Sequence, residues 1–325
     1  MDLGTEKQVI GIVGGMGPVA GVDLASKVIS QTMAASDQDH LPMVLYSFPD
    51  EIGDRTEYIL RQQANAGASS GRKASSDSNS NHGGGGSPDN ETSSGRKASS
   101  DSNPNPGGNP NPGTISNPGS NSNPGSTANP DSNPADAIAR ILLNMERAGV
   151  TVAGMACNSA HSPVIFERIS EVLRENRSGL GLLHMIREVA WFLTYEFTGI
   201  RKVGIAGTTG TRATGLYLHL EQFGIEVLNT TDEEQEVLQS AIYHPEYGIK
   251  AASDGISPKA VEILSDTCRS LKNRGAEAIV FGCTEFPLAY REATIEGLPV
   301  IDSSLVLARA LVRAAAPGKL RPWSL

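Results

Sequence analysis

Two short runs constrain this chain more than any other part of it. Residues 150–156 and 278–282 are made almost wholly of apolar and small residues, with no polar face. A run of that length, apolar on both sides, reads as a strand buried on both faces, as in a parallel sheet covered by helices. Each run ends in a cysteine and polar neighbours, Cys157-Asn158-Ser159-Ala160-His161 and Cys283-Thr284-Glu285, and the first leads into a helical pattern. The carboxyl edge of an open α/β sheet is where ligands bind. A thiol placed there lies near a helix N-terminus, whose partial positive charge favours the thiolate.

The rest of the chain repeats this style. Residues 8–13 read as a first strand, 14–18 as a tight turn, and Pro18 as a first-turn residue of a helix reaching about Gln31. A strand at 41–48 ends in the polar loop 49–56, and a helix enters near Glu57. Farther on, Asn133 is placed to cap a helix with Pro134 at its first position. Ile138, Ile141, Leu142 and Met145 keep its spacing, and Gly149 stops it. After the Cys157 strand come a helix at 163–174, a strand at 181–185 and a helix at 186–195 with Val189, Ala190, Trp191 and Leu193 on its buried face. A second unit then runs strand 203–206, polar turn 207–211, helix 213–223, strand 225–228, helices 233–242 and 258–274, the Cys283 strand, strand 299–302 and a closing helix at 305–314. Such alternation means parallel sheets in an α/β fold. The expectation is two similar three-layer domains, with the final helix crossing back to the first: 1–64 and 134–197 with the returning segment 298–325, and 198–297.

Residues 65–133 differ in kind. Ile115 is the one large apolar residue in the segment, which is otherwise rich in Ser, Asn, Gly, Pro and Asp. The stretch from Ser69 to Asn79 recurs from Ser93 to Asn103, and Asn-Pro and Pro-Gly steps follow. This composition cannot bury enough apolar surface to offset its ordering entropy, so the segment reads as a disordered insert in a surface loop. Closing a long loop adds only a logarithmic cost.

The net charge of −9 and pI of about 5.2 argue against nucleic acid or an anionic membrane surface as a main partner. Three cysteines without a C-x-x-C pair describe neither a disulfide framework nor a structural zinc site. No apolar stretch approaches a membrane span or a signal h-region, which makes a reduced, cytoplasmic setting the expectation.

Cys157 and Cys283 occupy equivalent places in successive units, whereas Cys268 stands mid-helix and reads as structural. Two thiols on one pocket suit the inversion of a carbon next to a carboxylate. One removes a proton and the other supplies one from the opposite face. A free thiol with a pKa of about 8.5 lets thiolate and thiol coexist near neutrality once the local field lowers one of them. Helix-start N–H groups with Asn158, Ser159 and Thr284 could hold the carboxylate and the charge that develops on it. His161, one helical turn past Cys157, either tunes the thiolate or is simply a histidine hydrogen-bonded at a helix start.

These residues resemble the aspartate/glutamate racemase family, which works without pyridoxal phosphate. The resemblance rests on Ala156-Cys157-Asn158-Ser159-Ala160-His161, Gly282-Cys283-Thr284-Glu285, the loop 14–18, Asp54-Arg55-Thr56, the turn 207–211 and Tyr247-Gly248-Ile249-Lys250-Ala251. It covers both sides of the 65–133 segment but not the segment itself. It implies two pseudo-symmetric Rossmann-like domains around a cleft, often as a dimer. It also implies Cys157 and Cys283 as the two bases, Arg55 and Lys250 as anchors for substrate carboxylates, and no cofactor or metal. Met16-Gly17 and Glu285, where glutamate racemases usually carry Asp-Ser and His, resemble the aspartate racemase branch, with Met16 at the substrate. Ser159 replaces a more usual threonine and keeps the hydroxyl.

The function expected from this is a cofactor-independent racemase of a small dicarboxylic amino acid, aspartate first. Glutamate or hydantoin racemases and maleate isomerases are rivals, and malonate decarboxylases need one cysteine only. Gly15-Met16-Gly17-Pro18-Val19-Ala20 also fits the dinucleotide fingerprint G-x-G-x-x-A, so a dinucleotide-binding oxidoreductase is a more distant alternative. Pro18, which lacks a donor, and the absence of a well-placed acid after the second strand weaken it. A non-catalytic small-acid binding protein is a third.

Overall fold

Local chemistry sets the element boundaries. The computed structural model describes residues 8–14, 16–74, 133–251 and 255–323, with the backbone alone for 67–74. The first half contains β1 (Ile10–Gly14), α1 (Pro18–Gln31), β2 (Met43–Ser47), α2 (Arg55–Ala74), α3 (Pro134–Arg147), β3 (Val152–Met155), α4 (Pro163–Glu175), β4 (Gly181–Leu182) and α5 (Met185–Glu196). Pro18, Pro134 and Pro163 each open a helix, where a missing N–H leaves nothing unpaired. The Asn133 side chain accepts from the Ala135 N–H at 3.0 Å, capping α3. The second half contains β5 (Lys202–Gly207), α6 (Thr209–Ala213), β6 (Glu226–Leu228), α7 (Asp232–Tyr243), α8 (Pro258–Asn273), β7 (Ala278–Gly282), α9 (Phe286–Ala289), β8 (Thr294–Ile295), β9 (Leu298–Asp302) and α10 (Ser303–Ala315). Thr231 and Glu234 form a reciprocal capping box at the start of α7.

The two sheets share one topology. The first runs β2-β1-β3-β4, all parallel; the second runs β6-β5-β7-β9, also parallel, with β8 added antiparallel on the edge. β3 and β7 are therefore equivalent strands, each beside the first strand of its half. Strand alternation divides the apolar side chains between two faces. Ile10 and Ile12 of β1, Val203 and Ile205 of β5, and Ala278 and Val280 of β7 join one central core shared by both halves. The opposite faces pack outward: Val13 and Ala153 meet α3 and α4, while Ile279 and Phe281 meet α7 and α8. α10 packs on α1, α5 and β3. A Cβ at Gly154 would press on Leu307 and Leu311 at 3.1 and 3.2 Å, so a glycine there lets α10 lie close on the strand.

Several expectations change. The helix expected over 213–223 is the five-residue α6 followed by a 3-10 helix at Leu216–Phe223, because Gly215 between them takes φ +58. Trp191 lies outside the buried face of α5 and is 37 % exposed. It follows Val189 by two residues, more than half a turn around the helix, and stacks under the Arg313 guanidinium at 3.9 Å. The strand expected over 181–185 is two residues long, since α5 starts at Met185. The hairpin strand β8 had no expected counterpart. α2 continues to Ala74, ten residues into the segment expected to be disordered. The remainder of that segment, 75–132, lies outside the described residues, as does Gly15. No helix among the described residues is long and apolar enough to cross a membrane.

Candidate functional site

Cys157 follows β3 by two residues and Cys283 follows β7 directly, so the repeated topology brings both to the same edge. They open on one cleft, which Met16, Arg55, Asn158, Ser159, Lys250 and Thr284 also line. Every residue expected at the site is thus assembled there from both halves. The thiols are 7 % and 5 % exposed. The free volume between these side chains is about 20 Å³, room for a water and not for an amino acid.

The field at the thiols comes from side chains more than from helix ends. A 3-10 turn at Ser159–His161 separates Cys157 from α4, and α9 beyond Cys283 has four residues. The macrodipole invoked from sequence is correspondingly small. At the first thiol, Arg55 supplies the charge. It is 7 % exposed at the start of α2. Burial opposes its charge, but Cys157, Asp54 and Tyr243 outweigh the burial and hold the guanidinium above its usual value. Its Nη2 donates to the Met16 carbonyl at 2.8 Å and its Nη1 to the Gly53 carbonyl at 3.1 Å. Its Nε is buried with no partner among the described residues. The Ser159 hydroxyl stands 3.5 Å from the Cys157 sulfur.

The second thiol sits in a different field. Burial and the neighbouring Glu285 carboxylate push Cys283 up to about 12, against the Glu285 backbone N–H and Lys250. Lys250 donates to the same Met16 carbonyl at 3.0 Å and pairs with Glu285 at 3.5 Å. Burial works against the Lys250 charge, yet Tyr243 and Glu285 hold it above the usual lysine value. Glu285 is 4 % exposed. A Cβ at Gly17 would collide with its Oε1, so the loop after β1 carries glycine where the carboxylate backs onto it. Tyr243 at the end of α7 lies under the Lys250 ammonium, 5.1 Å from ring centre to nitrogen.

Several of the expected residues also make hydrogen bonds within the protein. The Asn158 amide turns into the protein: Nδ2 donates to Ser303 Oγ at 3.1 Å and Oδ1 accepts from the Tyr217 hydroxyl at 2.6 Å. The Thr284 hydroxyl donates to the Ala156 carbonyl at 3.3 Å, across the two halves. His161 does not touch the Cys157 sulfur. Its Nδ1 lies 2.9 Å from the Cys157 carbonyl, its ring stacks on Phe166, and burial lowers it to about 4. It is a neutral, structural histidine at working pH. Thr208, Thr211 and Tyr243 also line the cleft and were not singled out. Thr211 donates to the Gly282 carbonyl at 3.1 Å, and the polar turn 207–211 was the sequence signal for it. Tyr243 ends an ordinary amphipathic helix and had no such signal.

Comparison with known proteins agrees with this arrangement. Residues 115–311, more than half of the chain, match the family model Asp/Glu/Hydantoin racemase. A glutamate racemase of Deinococcus radiodurans is 27% identical over 187 residues, 55% of this chain and 58% of that protein; the chain thus spans little more than half the length of this curated relative. Among solved structures, an aspartate racemase of Picrophilus torridus superposes with a TM-score of 0.63 at 24% identity, over 97% of this chain and 96% of that one. A glutamate racemase of Francisella tularensis in complex with D-glutamate gives 0.53 at 14% identity, over 99% and 86%. At these identities the superpositions establish a shared α/β fold. With the family model spanning both cysteines and the elements between them, the chain belongs to the Asp/Glu/Hydantoin racemase family.

Proposed function

We propose that this protein interconverts the enantiomers of an acidic α-amino acid, aspartate first, using Cys157 and Cys283 as its two bases and no cofactor. The observation that carries this reading is the convergence of two thiols and two cations on one cleft. Arg55 and Lys250 both donate to the Met16 carbonyl. A carboxylate is the stronger acceptor and would draw both cations from it, with the free Arg55 Nε adding a further donor. The narrow free volume then widens as the substrate takes the place of these internal contacts.

In this reading Cys157, beside the Arg55 cation, starts as the base, and Cys283, pushed up by burial and Glu285, starts as the acid. In one direction the Cα–H bond breaks toward Cys157, giving its thiol and a carbanion whose charge spreads into the α-carboxylate. The Cys283 S–H bond then breaks toward the opposite face of that carbon, leaving a thiolate. Proton exchange with solvent or the reverse reaction restores the start. Arg55 and Lys250 stabilise the charge that grows on the carboxylate.

Met16-Gly17 and Glu285 support aspartate, through the branch they resemble. The similarity to a glutamate racemase supports glutamate as the second reading. The oxidoreductase reading loses ground: the Glu285 carboxylate backs onto Gly17 at the start of α1, where a dinucleotide pyrophosphate would have to sit. Incubation with L-aspartate or L-glutamate in deuterium oxide, without added cofactor, tests the proposal. Deuterium at the α carbon together with the D-enantiomer is the expected result. Reduced, folded protein that produces neither with either substrate refutes it.

A further inference from the structure

The two cysteines are tied to each other through their chain neighbours. On one side of Cys157, the Ala156 carbonyl accepts from the hydroxyl of Thr284, which follows Cys283. On the other side, a buried chain of hydrogen bonds runs in one direction. The Tyr217 hydroxyl donates to Asn158 Oδ1 at 2.6 Å, Asn158 Nδ2 donates to Ser303 Oγ at 3.1 Å, and Ser303 Oγ donates to the Phe281 carbonyl at 2.8 Å. Phe281 lies two residues before Cys283 on β7. Asn158, Ser303 and Tyr217 are 3 %, 0 % and 2 % exposed. The links run head to tail, and such chains polarise and stiffen one another. Burial raises the Tyr217 phenol far above its usual value, so it stays a donor. Its ring also lies under Gly282, where a Cβ would approach it to 3.1 Å.

We infer that Tyr217, Asn158 and Ser303 form a strut that fixes the separation of the two thiols across the cleft, making Tyr217 and Ser303 positioning residues for inversion. The inference rests on the two-thiol racemase reading. Racemisation needs both sulfurs placed on opposite faces of one carbon at once, and a misplacement of about 1 Å costs on the order of 100-fold. A reaction that needs a single thiol does not depend on that spacing. Elimination of HCl from 3-chloroaspartate is such a reaction: one base takes the α proton, the electron pair forms the carbon–carbon double bond, and chloride leaves from the β carbon. The resulting enamine tautomerises to the imine and hydrolyses to oxaloacetate and ammonia.

The test compares both reactions in the wild-type protein, Tyr217→Phe, Ser303→Ala and the exposed control Tyr195→Phe. Tyr217→Phe and Ser303→Ala are expected to racemise aspartate about 10- to 100-fold more slowly in kcat, with elimination within about 3-fold of wild type. The double variant should lose little more than the worse single one, because both cut the same strut. Parallel loss of both reactions, or loss of neither, overturns the inference while leaving the racemase reading intact. Where the wild-type protein is inert toward both aspartate compounds, glutamate and 3-chloroglutamate take their place, and inertness toward all four overturns the reading and the inference together. Ser303→Ala keeps the test decisive where Tyr217→Phe fails to fold, as judged by thermal unfolding.

Discussion

The two halves of this protein have the same strand order and place a cysteine after the equivalent strand, yet they surround it differently. Cys157 has the buried Arg55 cation and a serine hydroxyl beside it; Cys283 has the Glu285 carboxylate and the Lys250 ammonium paired with it. Repetition of the fold supplies two thiols at one cleft. Divergence of the loops around them gives each thiol its own set of neighbouring charges.

Breaking the comparison outright has the largest expected effect. Cys157→Ala or Cys283→Ala removes one of the two proposed bases and should lower racemisation by about 1000-fold or more, read by chiral chromatography. Cys268→Ala is the internal control: that thiol is buried in α8, pushed up to about 12 by burial, and lines no part of the cleft. Its replacement should leave kcat unchanged and cost about 1 kcal/mol of stability in urea unfolding.

Arg55→Gln should lower kcat/KM by about 100-fold, because it removes both a carboxylate donor and the cation beside the Cys157 sulfur. Glu285→Gln sharpens the comparison from the other side. The carboxylate raises Cys283, so its neutral replacement lets that thiol ionise at lower pH. In the direction where Cys283 donates, the alkaline limb of the pH–rate profile should move toward neutrality; an unmoved limb would show that Glu285 does not set this thiol.

A further effect concerns stability rather than turnover. His161 is buried without charge, and its pKa falls from 6.5 to about 4. Between those values the unfolded chain binds the proton and the folded one does not, so the stabilisation is full above pH 6.5 and is lost as pH falls through the window. The loss is on the order of 3 kcal/mol at its end. His161→Leu should reduce the dependence of urea midpoint on pH between 6.5 and 4, the remainder coming from the neighbouring His184, which burial lowers to about 3.

Much of this was legible from residues alone. Proline at the starts of α1, α3 and α4, the Asn133 cap and the unbroken apolar runs of β3 and β7 are local signals, and the helices and strands formed where they stand. The sequence was less informative where a residue's role depends on what lies opposite it. Asn158 follows a cysteine and looks like a substrate ligand, but a phenol and a serine from far along the chain claim its amide. Trp191 looks like core, but its place around α5 turns it toward Arg313. Glu285 marks a branch of the family in sequence; packed against Gly17 and paired with Lys250, it becomes the charge that separates the two thiols.

By itself, then, the order of residues determined the alternating elements, the parallel sheets and the two thiols at strand ends, because hydrophobic periodicity and backbone capping act within a few residues. Only the tertiary structure decided which charged groups surround each thiol, and what spans the gap between them. Those are fields and hydrogen bonds between groups distant in the chain, and their strength depends on burial and direction, which exist only after the two sheets share a core.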